Sequence, residues 1–264
     1  MTDELIVRQE GSAGRLTLNR RRALNAVSLD MVHGMLAALE SWQTDETVRV
    51  VIVDGAGERG LCAGGDIRAL YKSGQEQDGV AQKFWADEYK LNALIANYPK
   101  PYVAIMDGIV MGGGVGVSVH GSHRIATEKT LFAMPETGIG LFPDVGGTYF
   151  LPRLPGELGM FMALTGARLK GPDALYAGIA THYVPSGRLV ALEEALSSTD
   201  DVEEVLKGFS AECDVSGFDG LQAQIDGHFS KDSVEAIVKS LKKDKSDWAA
   251  KQLSIMATKS PVRK

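Results

Sequence analysis

Twice along the chain, a short apolar run leads into a cluster of glycines and then into a segment with helical spacing. The first unit spans residues 48–71 and contains Gly64–Gly65. The second spans residues 102–120 and contains Gly112–Gly114. Short apolar runs bounded by turn residues are typical of buried strands, and strands that alternate with helices are typical of α/β folds. The repeated unit therefore predicts an α/β fold built from ββα-like turns, with a buried helix over residues 115–120.

Composition narrows the class of protein. The chain has 264 residues, of which 44% are hydrophobic and 23% charged, as in an ordinary soluble globular protein. The formal net charge of -6 argues against nucleic-acid binding, and it means that an anionic ligand would need a local basic patch. No stretch of 18 uncharged apolar residues occurs, so we expect no membrane span.

The cysteines and the first residues of the chain bear on its location. Two cysteines, Cys62 and Cys213, do not suggest a disulfide framework and fit a reducing compartment. Residues 1–10 contain acidic side chains and no long apolar run, unlike a secretory signal or an Arg- and Ser-rich transit peptide. We therefore expect a cytoplasmic location.

The two glycine loops suggest a site for an oxyanion. Backbone N–H groups at a helix start stabilise developing negative charge, and glycine lets a ligand approach the backbone closely. Two such loops would direct two separate N–H donors at one carbonyl oxygen. The alternative is that both are only tight strand-to-helix turns, which is the commoner use of a single glycine loop. Neither loop carries the dinucleotide GxGxxG pattern or the Gly-Lys-Ser/Thr of a P-loop.

Two acids lie in an otherwise apolar stretch rich in glycine and proline. Glu136 and Asp144 are eight residues apart in the segment MPETGIGLFPDVGGT. Apolar surroundings favour the protonated form of a carboxyl group, which suits it to general acid–base work. Each acid also follows a proline, so the alternative is that each stands at a helix start and interacts with the helix dipole. The pattern alone leaves both interpretations open.

The segments around these residues resemble the crotonase (enoyl-CoA hydratase/isomerase) superfamily. The resemblance covers residues 5–187 and is most specific in the blocks GLCAGGDIRALY, MGGGVGVSVHGSHRIATEKTLFAMPETGIGLFPDVGGTYFLPRL and ALTGARLKGPDALYAGIATHYV. It implies a crotonase-like spiral core of ββα turns over residues 1–187, which holds an acyl-CoA site. It also implies a peripheral helical region over residues 188–264, shorter at its C-terminal end than is usual in the family.

The resemblance also assigns roles to residues. It implies an oxyanion hole made by the backbone N–H groups of Gly65 and Gly113. The residues expected beside coenzyme A are Ala63, Asp66 and Ile67 at its adenine end, and Arg22, Ala23 and Leu24 along its phosphate and pantetheine arm. Arg20, Arg21 and Arg22 would form the local basic patch, although Arg20 and Arg21 also fit a solvated basic turn.

Gly116 decides which reaction the resemblance implies. Hydratases of the superfamily use two glutamates, and Gly116 stands where the first would be, whereas Glu136 matches the second. Asp144 stands where hydratases usually have glycine and a hydrolase subgroup has aspartate. The combination implies hydrolysis of a short branched 3-hydroxyacyl-CoA thioester, with Gly116 counted among the substrate-contacting residues because it leaves room for the acyl group.

Several alternatives stay open from the sequence. Glu136 would either activate water or attack the carbonyl carbon to form a mixed anhydride, and Asp144 would orient the substrate hydroxyl, the water or Glu136. An enoyl-CoA hydratase or isomerase and a non-catalytic acyl-CoA binder are the rival functions. The expected partner is the acyl-CoA substrate, and a homo-oligomer is compatible with the family. We expect no cofactor, since coenzyme A is part of the substrate, and no metal, because a turn at Gly121 interrupts the His120 and His123 pair.

Overall fold

The computed structural model describes residues 3–260, which form two sheets surrounded by helices. The strands are β1 Leu5–Glu10, β2 Ala13–Leu18, β3 Val50–Gly55, β4 Tyr102–Met106, β5 Ile109–Met111, β6 His123–Ala126, β7 Leu131–Ala133, β8 Leu169–Lys170 and β9 His182–Tyr183. The helices are α1 Leu29–Thr44, α2 Ile67–Glu76, α3 Val80–Ala96, α4 Gly113–Gly116, α5 Gly147–Phe150, α6 Leu158–Thr165, α7 Gly171–Tyr176, α8 Leu189–Leu196, α9 Val202–Phe209, α10 Gln222–Phe229, α11 Val234–Lys243 and α12 Asp247–Ala257. None of these helices has the length and hydropathy that a bilayer crossing requires.

The larger sheet has the order β1-β2-β3-β4-β6-β9, and its neighbouring strands run parallel except for the antiparallel pair of β1 and β2. Residues 50–53 of β3 and all of β4 are buried. Continuous β-branched and apolar runs suit strands that are covered on both faces, as parallel strands usually are. The apolar runs found in the sequence thus become the centre of the sheet.

In the smaller sheet, β5-β7-β8, strands β5 and β7 each follow a strand of the larger sheet, whereas β8 follows α6. After β4 the chain turns at Gly108, whose φ is 75°, and enters β5; after β6 it turns again and enters β7. Each of these two turns of the chain gives one strand to each sheet. This is the spiral of ββα-like turns that the sequence predicts.

Helices cover both faces of the larger sheet. Because side chains alternate across a strand, Val51 packs into the main core with α1 and α3, whereas its neighbour Ile52 packs into a second cluster with α8 and α9. Helices α8 and α9 therefore bury one face of the sheet, whereas α10, α11 and α12 pack into the main core. The division into residues 1–187 and 188–264 stays a prediction, and its two extreme ends lie outside the described residues.

One helix is shorter than the sequence predicts. In place of a helix over residues 115–120, α4 is a single turn. The Ser118 hydroxyl donates to the Gly114 carbonyl at 2.7 Å, and the Tyr102 hydroxyl donates to the Val117 carbonyl at 2.9 Å. Side chains thus occupy carbonyl groups that a longer helix would use for its own hydrogen bonds.

Candidate active site

The two glycine loops lie side by side. The Cys62 N–H donates to the Ile109 carbonyl at 3.0 Å, and the Met111 N–H donates to the Cys62 carbonyl at 3.0 Å. A Cβ added to Gly114 would lie 2.4 Å from the Cys62 carbonyl oxygen, so this close approach requires glycine. The loop after β3 and the loop after β5 therefore converge.

Gly65 and Gly113 stand where the converging loops meet a cavity. Within residues 3–260, neither N–H group donates to a backbone carbonyl or a side chain. Gly113 is the first residue of α4, and the first N–H groups of a helix have no partner inside the helix. A Cβ added to Gly113 would lie 3.1 Å from the Gly65 nitrogen, so the two residues are immediate neighbours. Two N–H donors placed in this way suit a single ligand oxygen.

The cavity beside these donors has a volume of about 160 Å³. Its lining is apolar apart from three carboxyl side chains, those of Glu88, Glu136 and Asp144. The other lining residues are Ala63, Gly64, Gly65, Ile67, Leu70, Phe84, Trp85, Gly112, Gly113, Pro135, Ile139, Leu141 and Val145. In the described part of the chain, no Lys, Arg or His side chain lines it. Such a lining favours the neutral form of at least one acid, since burial and like charge both oppose ionisation.

Glu136 enters the cavity from a short 3-10 turn, Glu136–Ile139, that follows Pro135. The residue is 5% exposed, and both carboxyl oxygens are buried without a hydrogen-bond partner among residues 3–260. Burial, with a smaller contribution from the Asp144 charge, raises the pKa of Glu136 to about 7. A carboxyl group with this pKa exchanges protons readily near neutral pH.

Asp144 faces the cavity and does not cap a helix. Its carboxylate accepts a hydrogen bond from the Tyr89 hydroxyl on α3, and α5 begins only after Gly146. Val145, between them, has a φ of 47°, which is rare for a β-branched residue. The Val145 carbonyl accepts a hydrogen bond from His120 Nε2 at 2.8 Å. The turn that aims Asp144 at the cavity is therefore strained and held in place from outside.

Helix α3 contributes two residues that the motifs do not predict. Glu88 lines the cavity and is 2% exposed, and Tyr89 binds Asp144. The signal for Glu88 is its helical spacing, because it shares the buried face of α3 with Phe84 and Leu91. An acid on the buried face of an amphipathic helix is rare unless it is paired or functional.

Gly116 lies behind the cavity lining. A Cβ added there would lie 2.8 Å from the Asn92 amide oxygen and 2.9 Å from the Val145 side chain. These two side chains fill the space that a larger residue at position 116 would need, and of the two only Val145 lines the cavity. The structure therefore does not bring Gly116 into the lining with Glu136. The Val145 side chain lines the cavity instead, so any effect of position 116 on the substrate would act through Val145.

Two of the residues predicted to bind coenzyme A, Ala63 and Ile67, line the cavity. Ala63 is in the lining, and its N–H donates to the Leu24 carbonyl at 3.0 Å, which joins the turn at 22–24 to the glycine loop. Residues 22 and 23 in this turn are exposed. Ile67 is 50% exposed at the rim of the cavity. These positions leave the turn and the rim open to a ligand.

Asp66 and Arg20 are engaged inside the protein. The Asp66 carboxylate accepts from the Ala69 N–H at 3.1 Å, at the start of α2, and from Arg20 at 2.8 Å. Arg20 also pairs with Glu4 at 2.9 Å. The interpretation of Arg20 as a solvated basic side chain is therefore wrong, because two carboxylates hold its guanidinium group.

The two histidines with metal-like spacing have other partners. His120 binds the Val145 carbonyl, and His123 lies 2.9 Å from the Ser122 hydroxyl and 2.7 Å from Glu203. No cluster of three or more His, Cys, Asp or Glu side chains able to hold a metal ion occurs within residues 3–260. Both histidines thus serve local structure.

Residues 13–263 match the model of the enoyl-CoA hydratase/isomerase family. Among curated proteins, the mitochondrial 3-hydroxyisobutyryl-CoA hydrolase of Danio rerio is 50% identical over 269 residues, covering 98% of this chain and 70% of the relative. The protein of the same name from Homo sapiens is 45% identical over 270 residues, with the same coverage of both chains.

Solved structures show the same fold. A carnitinyl-CoA dehydratase from Mycobacterium thermoresistibile has a TM-score of 0.95 and 46% identity, covering 99% of this chain and 77% of that one. An enoyl-CoA hydratase from Rhodobacter sphaeroides has a TM-score of 0.90 and 39% identity, covering 98% of this chain and 75% of that one. The spiral architecture is therefore shared with known acyl-CoA enzymes.

The expectation of a cytoplasmic location is wrong. The curated relatives from Danio rerio, Xenopus tropicalis and Homo sapiens are all named as mitochondrial proteins. Cysteine content indicates a reducing environment, but it does not distinguish one reducing compartment from another.

Sequence similarity and backbone similarity lead to the same conclusion. The family match extends over most of the chain, and the backbone superposes on family structures over nearly its full length. The converging glycine loops and the acid-lined cavity lie within the matched region. The chain is therefore a member of the enoyl-CoA hydratase/isomerase (crotonase) family.

Proposed function

We propose that this chain hydrolyses 3-hydroxyisobutyryl-CoA to 3-hydroxyisobutyrate and coenzyme A, a step of valine breakdown. One observation carries the proposal: two N–H donors that have no partner among residues 3–260 meet the buried acids Glu136 and Asp144 at one cavity. The choice of the 3-hydroxyisobutyryl group rests on the names of the curated relatives, which are 45% to 50% identical to this chain. The reaction consumes only water and the thioester, so it needs no further cofactor.

The N–H groups of Gly65 and Gly113 would hold the thioester oxygen. As water attacks the carbonyl carbon, that oxygen gains negative charge, and both donors stabilise it more strongly than they stabilise the neutral thioester. Collapse of the tetrahedral intermediate breaks the C–S bond and expels the coenzyme A thiolate. A thiolate is a good leaving group, which is consistent with a cavity to which residues 3–260 contribute no histidine.

Glu136 would be the general base. In its ionised form it takes a proton from the attacking water, and it returns this proton to the departing thiolate. A pKa of about 7 leaves a large ionised fraction at neutral pH, while the conjugate acid is still able to give the proton back. The buried oxygens of Glu136 have no protein partner in residues 3–260, so they are available to water.

Asp144 would orient the substrate. The Tyr89 hydroxyl binds its Oδ1 atom, and the structure records no partner for Oδ2 among residues 3–260. An oxygen fixed in this way at the cavity wall suits the 3-hydroxyl group of the acyl chain. The proposal thus gives the two acids different tasks, with proton transfer assigned to Glu136 and orientation to Asp144.

A second candidate is hydration or dehydration of an acyl-CoA. The two solved relatives at 46% and 39% identity are described as a dehydratase and a hydratase. Gly116 offers no carboxylate for such a reaction, yet Glu88 supplies the cavity with a third acid. The choice between the candidates therefore rests on experiment.

The deciding experiment compares two substrates. The purified chain is incubated with 3-hydroxyisobutyryl-CoA and with crotonyl-CoA, while free thiol and enoyl absorbance are recorded. Thiol release from the first substrate supports the hydrolase. Loss of enoyl absorbance without thiol release would establish the hydratase. Neither change, with binding of the thioester retained, would make the chain a non-catalytic acyl-CoA binder.

A further inference from the structure

Glu88 stands beside the two backbone donors. Its Oε1 atom lies 3.1 Å from the position that a Cβ on Gly113 would occupy, and the Gly65 nitrogen lies 3.1 Å from the same position. Glu88 is also part of the cavity lining and is 2% exposed. The carboxyl group is therefore next to the place where a thioester oxygen would bind.

The structure records no hydrogen bond or ion pair to the Glu88 carboxyl group from residues 3–260. The adjacent acid on α3, Asp87, is the opposite case, because it binds Lys83 at 2.8 Å, Lys90 at 2.8 Å and His33 at 2.8 Å. Those side-chain hydrogen bonds hold the pKa of Asp87 well below its usual range. Two neighbouring acids on one helix thus have contrasting surroundings.

Among residues 3–260, the groups that face Glu88 from other elements are acids or neutral side chains. They are Asp144 from the turn before α5, Glu136 from its 3-10 turn and the Cys62 thiol from the loop after β3, with Tyr89 on its own helix. Burial first, and then the Asp144 charge, raises the pKa of Glu88 to about 8. Glu88 therefore keeps its proton at neutral pH, when much of Glu136 has lost its own.

We propose that Glu88 is a third acid of the active site, which acts in its protonated form by donating a hydrogen bond to the thioester oxygen beside Gly65 and Gly113. The inference rests on the proposed hydrolysis. An ionised carboxylate at this position would repel the oxyanion, whereas a neutral carboxyl group adds an O–H donor to the two N–H donors. No proton has to leave Glu88 during turnover, so the chemistry assigned to Glu136 is unchanged.

The proposal predicts a bell-shaped dependence of kcat/KM on pH. Activity rises as Glu136 ionises, with an apparent pKa of about 7, and falls as Glu88 ionises, with an apparent pKa of about 8. In Glu88→Gln the amide still donates a hydrogen bond but does not ionise. We expect this variant to keep activity within about tenfold of the wild type at pH 7 and to lose the falling limb.

Two further variants sharpen the test. Glu88→Ala removes the donor, and we expect kcat to drop on the order of 10²-fold, as for loss of an oxyanion donor. Asp87→Asn changes the adjacent acid, which faces away from the cavity, and it should leave the shape of the pH profile intact. A merely structural acid could also produce a falling limb, by weakening the fold as it ionises. Circular dichroism is therefore recorded at each pH, and the donor role requires activity to fall while the spectrum stays unchanged.

The outcomes separate this inference from the proposed function. A wild-type chain that releases no thiol at any pH would overturn the hydrolase itself. Thiol release with a falling limb that survives in Glu88→Gln, or with full activity in Glu88→Ala, would overturn only the role of Glu88. If the variants fail to fold, carbon-13 NMR of glutamate carboxyl groups in the wild type decides: a second glutamate titrating with Glu136 above pH 6.5 supports the proposal, and its absence refutes it.

Discussion

Glu136 is buried, its two carboxyl oxygens have no hydrogen-bond partner in the described part of the chain, and its pKa is raised to about 7. Replacement by glutamine keeps its shape but removes its ability to accept a proton from water. We expect Glu136→Gln to lower the rate of thiol release by 10²-fold or more, on the order of 3 kcal/mol in the activation barrier. Calorimetric titration with coenzyme A should show nearly unchanged binding. Near-normal turnover would exclude Glu136 as the base.

The hydrogen bond between Tyr89 and Asp144 gives a second prediction. In Tyr89→Phe the carboxylate loses the donor that holds it, so we expect kcat to fall on the order of tenfold, as for loss of a hydrogen bond to a charged group. Tyr149 is the matched control, because it is 62% exposed and stacks with Arg153 away from the cavity lining. Steady-state kinetics should show a lower kcat for Tyr89→Phe than for Tyr149→Phe. Equal values of kcat would argue against the role given to Tyr89.

The chain's acids differ in how far sequence alone reveals them. Glu136 and Asp144 stand in a recognisable segment, so the resemblance assigns them directly. The contact between Tyr89 and Asp144 joins residues 55 positions apart, and no local pattern encodes the way that α3 packs over the cavity. Glu88 was detectable only as an acid at a buried helical position. The tertiary fold is what places Glu88 beside Gly65 and Gly113, which are distant from it in the sequence.

At the scale of elements, the two loops depend on a glycine that allows them to touch. A Cβ in Gly114→Ala would lie 2.4 Å from the Cys62 carbonyl oxygen, so the loops would have to separate. We expect a lower Tm and loss of most thiol release, because the two N–H donors would no longer converge. Gly74→Ala is the control: a Cβ there meets no atom of residues 3–260 within 4 Å, and alanine should stabilise α2 by about 0.5–1 kcal/mol. Equal melting temperatures for the two variants would contradict this account.

Local sequence patterns predict where the main helices and strands lie, whereas the length of a helix also depends on hydrogen bonds from other parts of the chain. Ser28 caps α1 as its position suggests, accepting a hydrogen bond from the Met31 N–H at 3.2 Å. The strand at β4 matches the apolar run that predicts it. The end of α4 was not predictable, because it depends on the Tyr102 hydroxyl, which comes from the preceding strand and binds the Val117 carbonyl.

At the scale of the whole molecule, the acids of the cavity should make stability depend on pH. Glu88 and Glu136 have folded-state pKa values of about 8 and about 7, above the value of about 4.3 for an unfolded chain. A raised carboxyl pKa contributes stability that is fully present below the unfolded value and is lost as pH rises through the folded value. We therefore expect these groups to lower the free energy of unfolding between about pH 5 and pH 8.

Urea unfolding at pH 5.5 and pH 8.5 tests this linkage. The double variant Glu88→Gln, Glu136→Gln lacks both titrating groups and should lose less stability than the wild type over that interval. The comparison cancels groups that are common to both proteins, such as His120, whose pKa burial lowers. Parallel changes in the two proteins would show that the cavity acids do not govern the effect.

Cys62 lies where the two glycine loops touch, and it is 0% exposed. Burial raises the pKa of its thiol to about 12, and only a thiolate reacts quickly with a disulfide reagent. Cys213 is more accessible and should account for the fast phase of any labelling. Cys62 would react only when the two loops separate. The rate of its slow labelling phase would therefore report the rate at which the oxyanion hole opens. The reagent that counts released coenzyme A would then also time how often the empty site opens.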